Sequence, residues 1–214
     1  MNDYQETDLS VTQAKEKEIE SLENNNVFEW VEYSDQDVIS SKWVLTEKQK
    51  EDGSSFMKAR LVARGYEEDS SGRRTDSPTC SKQSLRMLFT VASSMSWELN
   101  SIDITAAFLQ GNDIERDVFI QPPVECIRPG QIWKLRRCIY GLCDAPRNWY
   151  DRVHDELRKL GGSVSQYDKL FFSGIMMMVQ SRVFLPSMLT ISFTVVLVVG
   201  RTQLFRSSLI RFDY

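Results

Sequence analysis

A single aspartate is the first residue in this sequence whose surroundings suggest chemistry. Asp103 lies in Ser-Ile-Asp-Ile-Thr-Ala-Ala-Phe-Leu, between β-branched apolar residues at the end of a predicted strand. A carboxylate in such surroundings is costly to bury unless it is paired or bound to a metal. From the residues alone, Asp103 is either a metal ligand or a cap for the next element. Ala106 and Ala107 are small enough for a ligand, or another helix, to approach the backbone closely.

Three basic residues form a second candidate site. Lys58, Arg60 and Arg64 lie two and four residues apart, beside a predicted hairpin. Alternate residues of a strand project to one face. These cations therefore predict either a phosphate-binding stripe or a solvated strand face. Tyr140, Trp149 and Tyr150, further along the chain, are either stacking platforms for bases or core residues.

The elements that would position these residues alternate between helix and strand. Apolar spacing predicts helices over 12–22, 84–94 and 147–160, and strands over 38–45, 56–62, 97–104, 118–121 and 132–135. Asp52-Gly53 predicts the turn of a β-hairpin. The sequence therefore predicts a mixed α+β fold.

The composition excludes several classes of protein. The chain has 214 residues, of which 42% are hydrophobic and 26% charged, with a net charge of −4. These values are typical of a globular protein and not of a disordered, collagenous or disulfide-rich chain. One histidine and four scattered cysteines without a Cys-x-x-Cys pair argue against a Cys/His zinc site. The first thirty residues lack the pattern of a signal peptide, so none is expected.

Charge is distributed unevenly along the chain. Residues 1–40 hold eleven acidic and two basic side chains, whereas residues 41–170 hold eighteen acidic and twenty basic ones. Residues 171–214 hold only five charged side chains. This pattern predicts an acidic N-terminal helix and linker (1–37), a central domain (38–170) and an atypical apolar tail (171–214).

Several short motifs occur together in one order. In combination they resemble the reverse transcriptase of copia-type long-terminal-repeat retrotransposons, over about residues 10–172. The motifs are Lys-Trp-Val at 42–44, Lys-Ala-Arg-Leu-Val-Ala-Arg-Gly-Tyr at 58–66, Ser-Pro-Thr at 77–79, Ile-Asp-Ile-Thr-Ala-Ala-Phe-Leu-Gln-Gly at 102–111, Gln-Pro-Pro at 121–123, Trp-Lys-Leu at 133–135 and Tyr-Gly-Leu-Cys-Asp-Ala-Pro-Arg-Asn-Trp-Tyr at 140–150.

The resemblance implies a right-hand polymerase, of which residues 38–170 would supply the fingers and a partial palm. Asp103 matches the first catalytic aspartate, which binds both metal ions, Mg²⁺ or Mn²⁺, in the parent enzyme. Phe108 matches the bulky side chain under the sugar of the incoming nucleotide, which selects deoxynucleotides. The backbone amides of Ala106 and Ala107 would contact the triphosphate.

The resemblance also assigns the basic residues and the partners. Lys58, Arg60 and Arg64 would lie in the fingers hairpin that closes over the nucleotide phosphates, and Gly141 in a loop near template and nucleotide. The family usually has Lys-Gln where this chain has Cys143-Asp144. The implied partners are an RNA or DNA primer-template, deoxynucleotides and the remainder of the Pol polyprotein, in a cytoplasmic virus-like particle.

The second catalytic carboxylate pair of the family is missing. No two aspartates are adjacent anywhere in the chain. Met176–Met178 must be encoded by ATG repeats, and one base earlier these repeats give aspartate codons. We therefore expect residues 171–214 to be an out-of-frame tail, with the lost Asp-Asp box at 189–191. The chain itself is then expected to lack polymerase activity.

Two alternative functions remain open on the sequence. One is a catalytically dead module that still binds nucleic acid through the fingers. The other is a small membrane-anchored protein, because residues 183–200 are uncharged and long enough to span a bilayer. That apolar run also follows from the out-of-frame interpretation, under which no membrane partner is expected.

Overall fold

The computed structural model describes residues 3–50, 52–104, 106–159, 161–173, 177–182 and 192–199. Its helices are α1 (Asp3–Asn24), α2 (Lys82–Ser94) and α3 (Ala145–Lys159). Its strands are β1 (Phe28–Glu32), β2 (Val38–Ile39), β3 (Ser41–Gln49), β4 (Ser55–Ala63), β5 (Glu98–Ile104), β6 (Phe119–Ile120), β7 (Gln131–Leu135), β8 (Ser163–Val164), β9 (Phe171–Ser173), β10 (Met177–Arg182) and β11 (Ser192–Val199). The predicted mixed α+β fold is confirmed.

The chain divides into two compact units, and each is described by itself. Unit 1 comprises residues 1–75 and 111–148, and unit 2 comprises residues 76–110 and 149–214. Each unit is therefore assembled from two separate stretches of sequence.

Unit 1 contains two sheets. One has the strand order β1-β7-β6-β2, in which β2 runs parallel to β6 and the other pairs are antiparallel. The other is the antiparallel hairpin of β3 and β4. Its turn includes Gly53 at φ +82°, a left-handed conformation that glycine adopts readily. The predicted turn at Asp52-Gly53 is confirmed.

Helix α1 begins earlier than the predicted 12–22, at Asp3, and ends as predicted among the asparagines. Its apolar face buries Ala14 and Leu22, and the helix packs against β4. After the helix, β1 lies in a segment that was predicted to be linker. Local spacing did not reveal β1 because its partner is distant: Trp30 lies opposite Trp133 in β7, and the Phe28 ring stacks on Trp133 at 3.9 Å.

Unit 2 contains an antiparallel sheet in the order β5-β11-β10-β9-β8. In α2, Leu88 and Ala92 are buried and form a core with Leu85, Trp97 and Cys80. In the part of α3 that belongs to unit 2, the buried residues follow helical spacing and are Trp149, Val153 and Leu157. Both helices thus have the amphipathic pattern that the sequence predicted.

The segment of the alternative membrane interpretation, 183–200, falls partly outside the described residues. Its described portion, 192–199, is strand β11 rather than helix. None of the helices in the described ranges has both the length and the apolar character required to cross a bilayer.

Asp168 connects α2 to the segment that precedes β9. Its carboxylate accepts hydrogen bonds from the backbone amides of Ser81 at 2.9 Å and Leu170 at 3.0 Å. Burial alone raises the pKa of Asp168, but hydrogen bonds from Ser84, Ser81 and Leu170 outweigh it and hold the pKa below its ordinary value. The ionised carboxylate therefore stabilises the start of α2.

We predict that Asp168→Asn lowers the free energy of unfolding by about 1–3 kcal/mol, because a neutral amide replaces a charged acceptor. Since folding lowers the pKa of this carboxyl, its contribution is complete above pH 3.8, the ordinary value, and is lost as the pH falls through the folded pKa. Chemical denaturation of both proteins at neutral and acidic pH measures the difference.

The matched control is Asp155→Asn, which removes the same charge from an exposed position on α3. This change should alter the free energy of unfolding by less than about 0.5 kcal/mol. Equal effects of the two substitutions would contradict the role of Asp168.

Candidate functional site

The hairpin of β3 and β4 carries the predicted basic stripe. In its register, Thr46 lies opposite Lys58 and Val44 lies opposite Arg60. Directly opposite residues of an antiparallel pair share a face. Two lysines of β3 therefore join the two cations of β4, and no acidic residue lies on this face of the two strands. We call this set the cationic face: Lys42, Lys48, Lys58 and Arg60.

Arg60 is the buried member of the cationic face. The residue is only 5% exposed, and its guanidinium carbon lies 5.4 Å from the centre of the Tyr140 ring. From α1, Glu18 accepts a hydrogen bond from the backbone amide of Leu61 at 3.3 Å. Burial raises the pKa of Glu18, against the opposing effects of that amide and of Arg60. Helix α1 and Tyr140 together enclose the base of the cationic face.

Arg64 lies beyond the end of β4 and is not part of the cationic face. Its backbone amide donates to the carbonyl of Ser40 at 2.9 Å, and its guanidinium lies 3.9 Å from the carboxylate of Glu67. Glu67 also accepts a hydrogen bond from the amide of Ser40, at 2.7 Å, and this bond lowers the pKa of Glu67. The structure therefore places Arg64 in a half-exposed ion pair beside β3.

The end of β4 and the segment around Gly141 touch through their backbones. The amide of Ala63 donates to the carbonyl of Tyr140 at 2.8 Å. A Cβ atom on Gly65 would collide with the carbonyl oxygen of Gly141, and one on Gly141 would collide with that of Ala63. Gly141 also has φ +91°. We call the pair Gly65 and Gly141 the glycine clasp, because only residues without a side chain fit there.

Four charged side chains meet beyond the glycine clasp. Arg116 donates to both carboxylate oxygens of Asp144 at 3.0 Å from one terminal nitrogen. Its other terminal nitrogen pairs with Glu68, which also pairs with Arg73 at 2.6 Å. We call these four residues the charge cluster. Of these four residues, only Asp144 stands out in the sequence, as a departure from the family pattern; the other three carry no local signal.

In unit 2, β5 is followed by a 3-10 turn. Asp103 is the penultimate residue of β5. Ala106 has φ +50°, and its carbonyl accepts from the amide of Leu109 at 2.9 Å. A left-handed alanine costs about 1 kcal/mol, so the surrounding structure must hold this turn. Ala107 and Phe108 lie in the 3-10 turn that follows, and both are buried.

Asp103 is the candidate metal ligand, and the strand register identifies the residue opposite it in the sheet. The strand paired with β5 is β11, in which Thr194 lies opposite Asp103. None of the eight residues of β11 is acidic. Within the described ranges, no three His, Cys, Asp or Glu side chains are grouped so that they could hold an ion. The expected box at 189–191 lies outside those ranges, and its residues are Leu, Thr and Ile.

The cysteines are poor candidates for nucleophilic chemistry. Burial raises the pKa of Cys138 to about 12, with Asp144 contributing, and raises the pKa of Cys80 to about 12, with Asp168 contributing. Burial likewise raises the pKa values of Cys126 and Cys143. Since the thiolate is the nucleophile, these four residues are protonated at neutral pH and do not support covalent catalysis.

The structure thus gathers the predicted site residues into two groups. In unit 1, the hairpin cations and Gly141 are connected through the hydrogen bond between Ala63 and Tyr140. In unit 2, Asp103, Ala106, Ala107 and Phe108 follow one another along β5 and its terminal turn.

Comparison with known proteins identifies what the chain is similar to. The family model described as "Reverse transcriptase (RNA-dependent DNA polymerase)" matches residues 25–179. The chain is 37% identical over 141 residues to the Retrovirus-related Pol polyprotein from transposon RE1 of Arabidopsis thaliana, covering 63% of this chain and 10% of that protein. It is 34% identical over 147 residues to the corresponding polyprotein from transposon TNT 1-94 of Nicotiana tabacum, covering 64% and 11%.

The chain therefore spans about a tenth of the length of these curated relatives. No solved structure matches the chain.

We predict that Gly65→Ala and Gly141→Ala each lower the free energy of unfolding by more than about 2 kcal/mol, because the added methyl group meets backbone that cannot move aside. The effect of Gly141→Ala should be the larger, since this residue also needs a positive φ. Urea denaturation of each variant measures the change.

Gly53→Ala is the matched control for backbone strain. Gly53 has φ +82°, but a Cβ there would meet nothing within 4 Å. Its substitution should therefore cost only about 1 kcal/mol. If all three substitutions cost the same, close contact at the glycine clasp is not what requires glycine.

Proposed function

The chain belongs to the reverse transcriptase (RNA-dependent DNA polymerase) family, and on that premise we propose that it supplies the fingers and a partial palm of a retrotransposon polymerase. Unit 1 would be the fingers and unit 2 the palm portion. Its ligands would be a primer-template and deoxynucleotides, and its context the remainder of a Pol polyprotein.

The cationic face is the observation that carries this proposal. It presents lysines from both strands of one hairpin, with no carboxylate on the same face of the strands. Proteins bind nucleic-acid backbones and nucleotides largely through Lys and Arg contacts to phosphate. Arg60 is held by Tyr140 and lies close to Glu18, so the most buried cation has a fixed position at the base of the face. Lys58 and Arg64 would assist it.

The turn after β5 would contribute the remaining nucleotide contacts. The left-handed Ala106 directs the chain into the 3-10 turn, and the amides of Ala106 and Ala107 would face a triphosphate. Phe108 is buried in that turn, so its ring has the fixed position that discrimination against a 2′-hydroxyl requires. Gly141, held in the glycine clasp, would lie near template and nucleotide.

We further propose that the chain does not polymerise. Two-metal phosphoryl transfer uses ions about 3.5–4 Å apart, bridged and flanked by several carboxylates. Asp103 supplies one carboxylate, whereas its neighbour across the sheet is Thr194. A nucleic-acid-binding module without catalysis is therefore the second candidate function, and the acid-free strand β11 favours it.

An out-of-frame tail accounts for the missing pair. The charged fraction collapses after Asp168, and Met176–Met178 fixes codons that encode aspartate one base earlier. Under this proposal, residues 171–214 replace a palm segment that would have carried the Asp-Asp box.

The first test concerns binding. We predict that Lys58→Ala weakens binding of a labelled RNA–DNA duplex with a single-stranded overhang by about fivefold to tenfold at roughly 0.1 M salt. The salt slope, which is the slope of the logarithm of the binding constant against the logarithm of the salt concentration, should become shallower by about one. Lys17→Ala is the control, because Lys17 is an exposed lysine on α1. If the two variants bind equally well, the cationic face is not the nucleic-acid surface.

The second test concerns catalysis. We predict no deoxynucleotide incorporation on an RNA template with Mg²⁺ or Mn²⁺, because one carboxylate cannot hold both ions.

Sequencing the parent locus should show an Asp-Asp box in the neighbouring frame at the codons now read as Leu189 to Ile191. Incorporation that Asp103→Asn abolishes would contradict the proposed inactivity, and stop codons in the neighbouring frame would contradict the out-of-frame tail.

A further inference from the structure

The charge cluster lies where two segments of unit 1 leave the glycine clasp. Glu68 follows Gly65 on one segment, and Asp144 follows Gly141 on the other. Arg116 donates hydrogen bonds to both carboxylates. With Arg73 paired to Glu68 as well, two guanidinium groups meet two carboxylates, and the net charge of the charge cluster is zero.

Solvent reaches these four side chains only in part. Exposure of the side chain ranges from 13% for Glu68 to 25% for Arg73. Burial alone lowers the pKa of Arg73, but the hydrogen bond and negative charge of Glu68 outweigh it and raise the pKa above its ordinary value. Attraction between partly buried charges is stronger than between exposed ones. Arg73 therefore remains charged, with Glu68 as its counterion.

Asp144 occupies the donor fork of Arg116. The Nε of Arg116 lies 3.3 Å from one carboxylate oxygen, and a terminal nitrogen lies 3.0 Å from both. Guanidinium groups bind carboxylate and phosphate with the same two-pronged geometry. A phosphate group at this position would need the same N–H groups, so it would compete with Asp144.

We propose that Asp144 occupies a phosphate-binding site on Arg116. While it is paired with Asp144, Arg116 cannot bind a backbone phosphate of nucleic acid. The inference rests on the proposed function, because the ligand is the phosphodiester backbone of a primer-template. Asp144→Asn keeps the size of the side chain and removes its charge. The variant leaves Glu68 between the two guanidinium groups, and the charge cluster then has a net charge of +1.

The experiment measures binding of a labelled RNA–DNA duplex with a single-stranded overhang to the full chain, by fluorescence anisotropy across a salt series. We expect Asp144→Asn to tighten binding about fivefold to tenfold at roughly 0.1 M salt, with a salt slope steeper by about one, as for one added phosphate contact. The double variant Asp144→Asn/Arg116→Gln should lose this gain, because the freed cation is gone.

The matched control is Asp113→Asn. Asp113 pairs with Arg137 at 3.4 Å in the same unit, and its side chain is 83% exposed. The substitution changes the net charge equally, but so exposed an acid contributes little to its pair, so binding should change by less than about twofold. A gain equal to that of Asp144→Asn, or one that survives in the double variant, overturns the inference.

Two further outcomes separate this inference from the proposed function. If the unchanged chain binds the duplex and Asp144→Asn binds no more tightly, only the inference fails. If no variant binds, both fail. Thermal unfolding of each variant verifies folding; should Asp144→Asn not fold, Asp144→Ser removes the same carboxylate, and the same gain is expected.

Discussion

Unit 1 depends on the close contact of two backbones at the glycine clasp. Because neither Gly65 nor Gly141 has a Cβ, the end of β4 can approach the Tyr140–Leu142 segment closely enough for a direct amide-to-carbonyl hydrogen bond. This bond brings the ring of Tyr140 to Arg60. On the other side, the chain leaving each glycine reaches the charge cluster. One steric constraint thus positions both the cation at the base of the hairpin and the ion pairs beyond it.

Opposite arrangements of charge follow on the two sides of the glycine clasp. On the cationic face, the two strands carry lysines and no acid of their own, and the carboxylate of Glu18 in α1 lies close enough to attract Arg60 and Lys58. In the charge cluster, each guanidinium has a carboxylate partner. A buried ion pair gains little net stability once desolvation is counted, yet removing one partner is costly. The charge cluster therefore matters more for what its arginines contact than for the stability of the fold.

Local features of the fold were predictable, whereas long-range ones were not. Asp52-Gly53 specifies its turn through residues next to each other, and α2 follows from the spacing of Leu85, Leu88 and Ala92. In contrast, β1 forms because its partner β7 lies far along the chain, and no local pattern encodes that pairing. The same holds in the candidate site. Its basic residues were identifiable, but burial of Arg60 depends on Tyr140, which belongs to a different motif.

Sheet formation and site chemistry impose different demands on a sequence, and β11 shows the difference. Its residues, Ser-Phe-Thr-Val-Val-Leu-Val-Val, are mostly β-branched or aromatic and suit a strand. Backbone pairing joins residues 193–199 of β11 to all seven residues of β5, whatever the side chains are. A metal site instead requires carboxylates at particular positions, and Thr194 opposite Asp103 is not one. An apolar strand can therefore pair with β5 without supplying a carboxylate opposite Asp103.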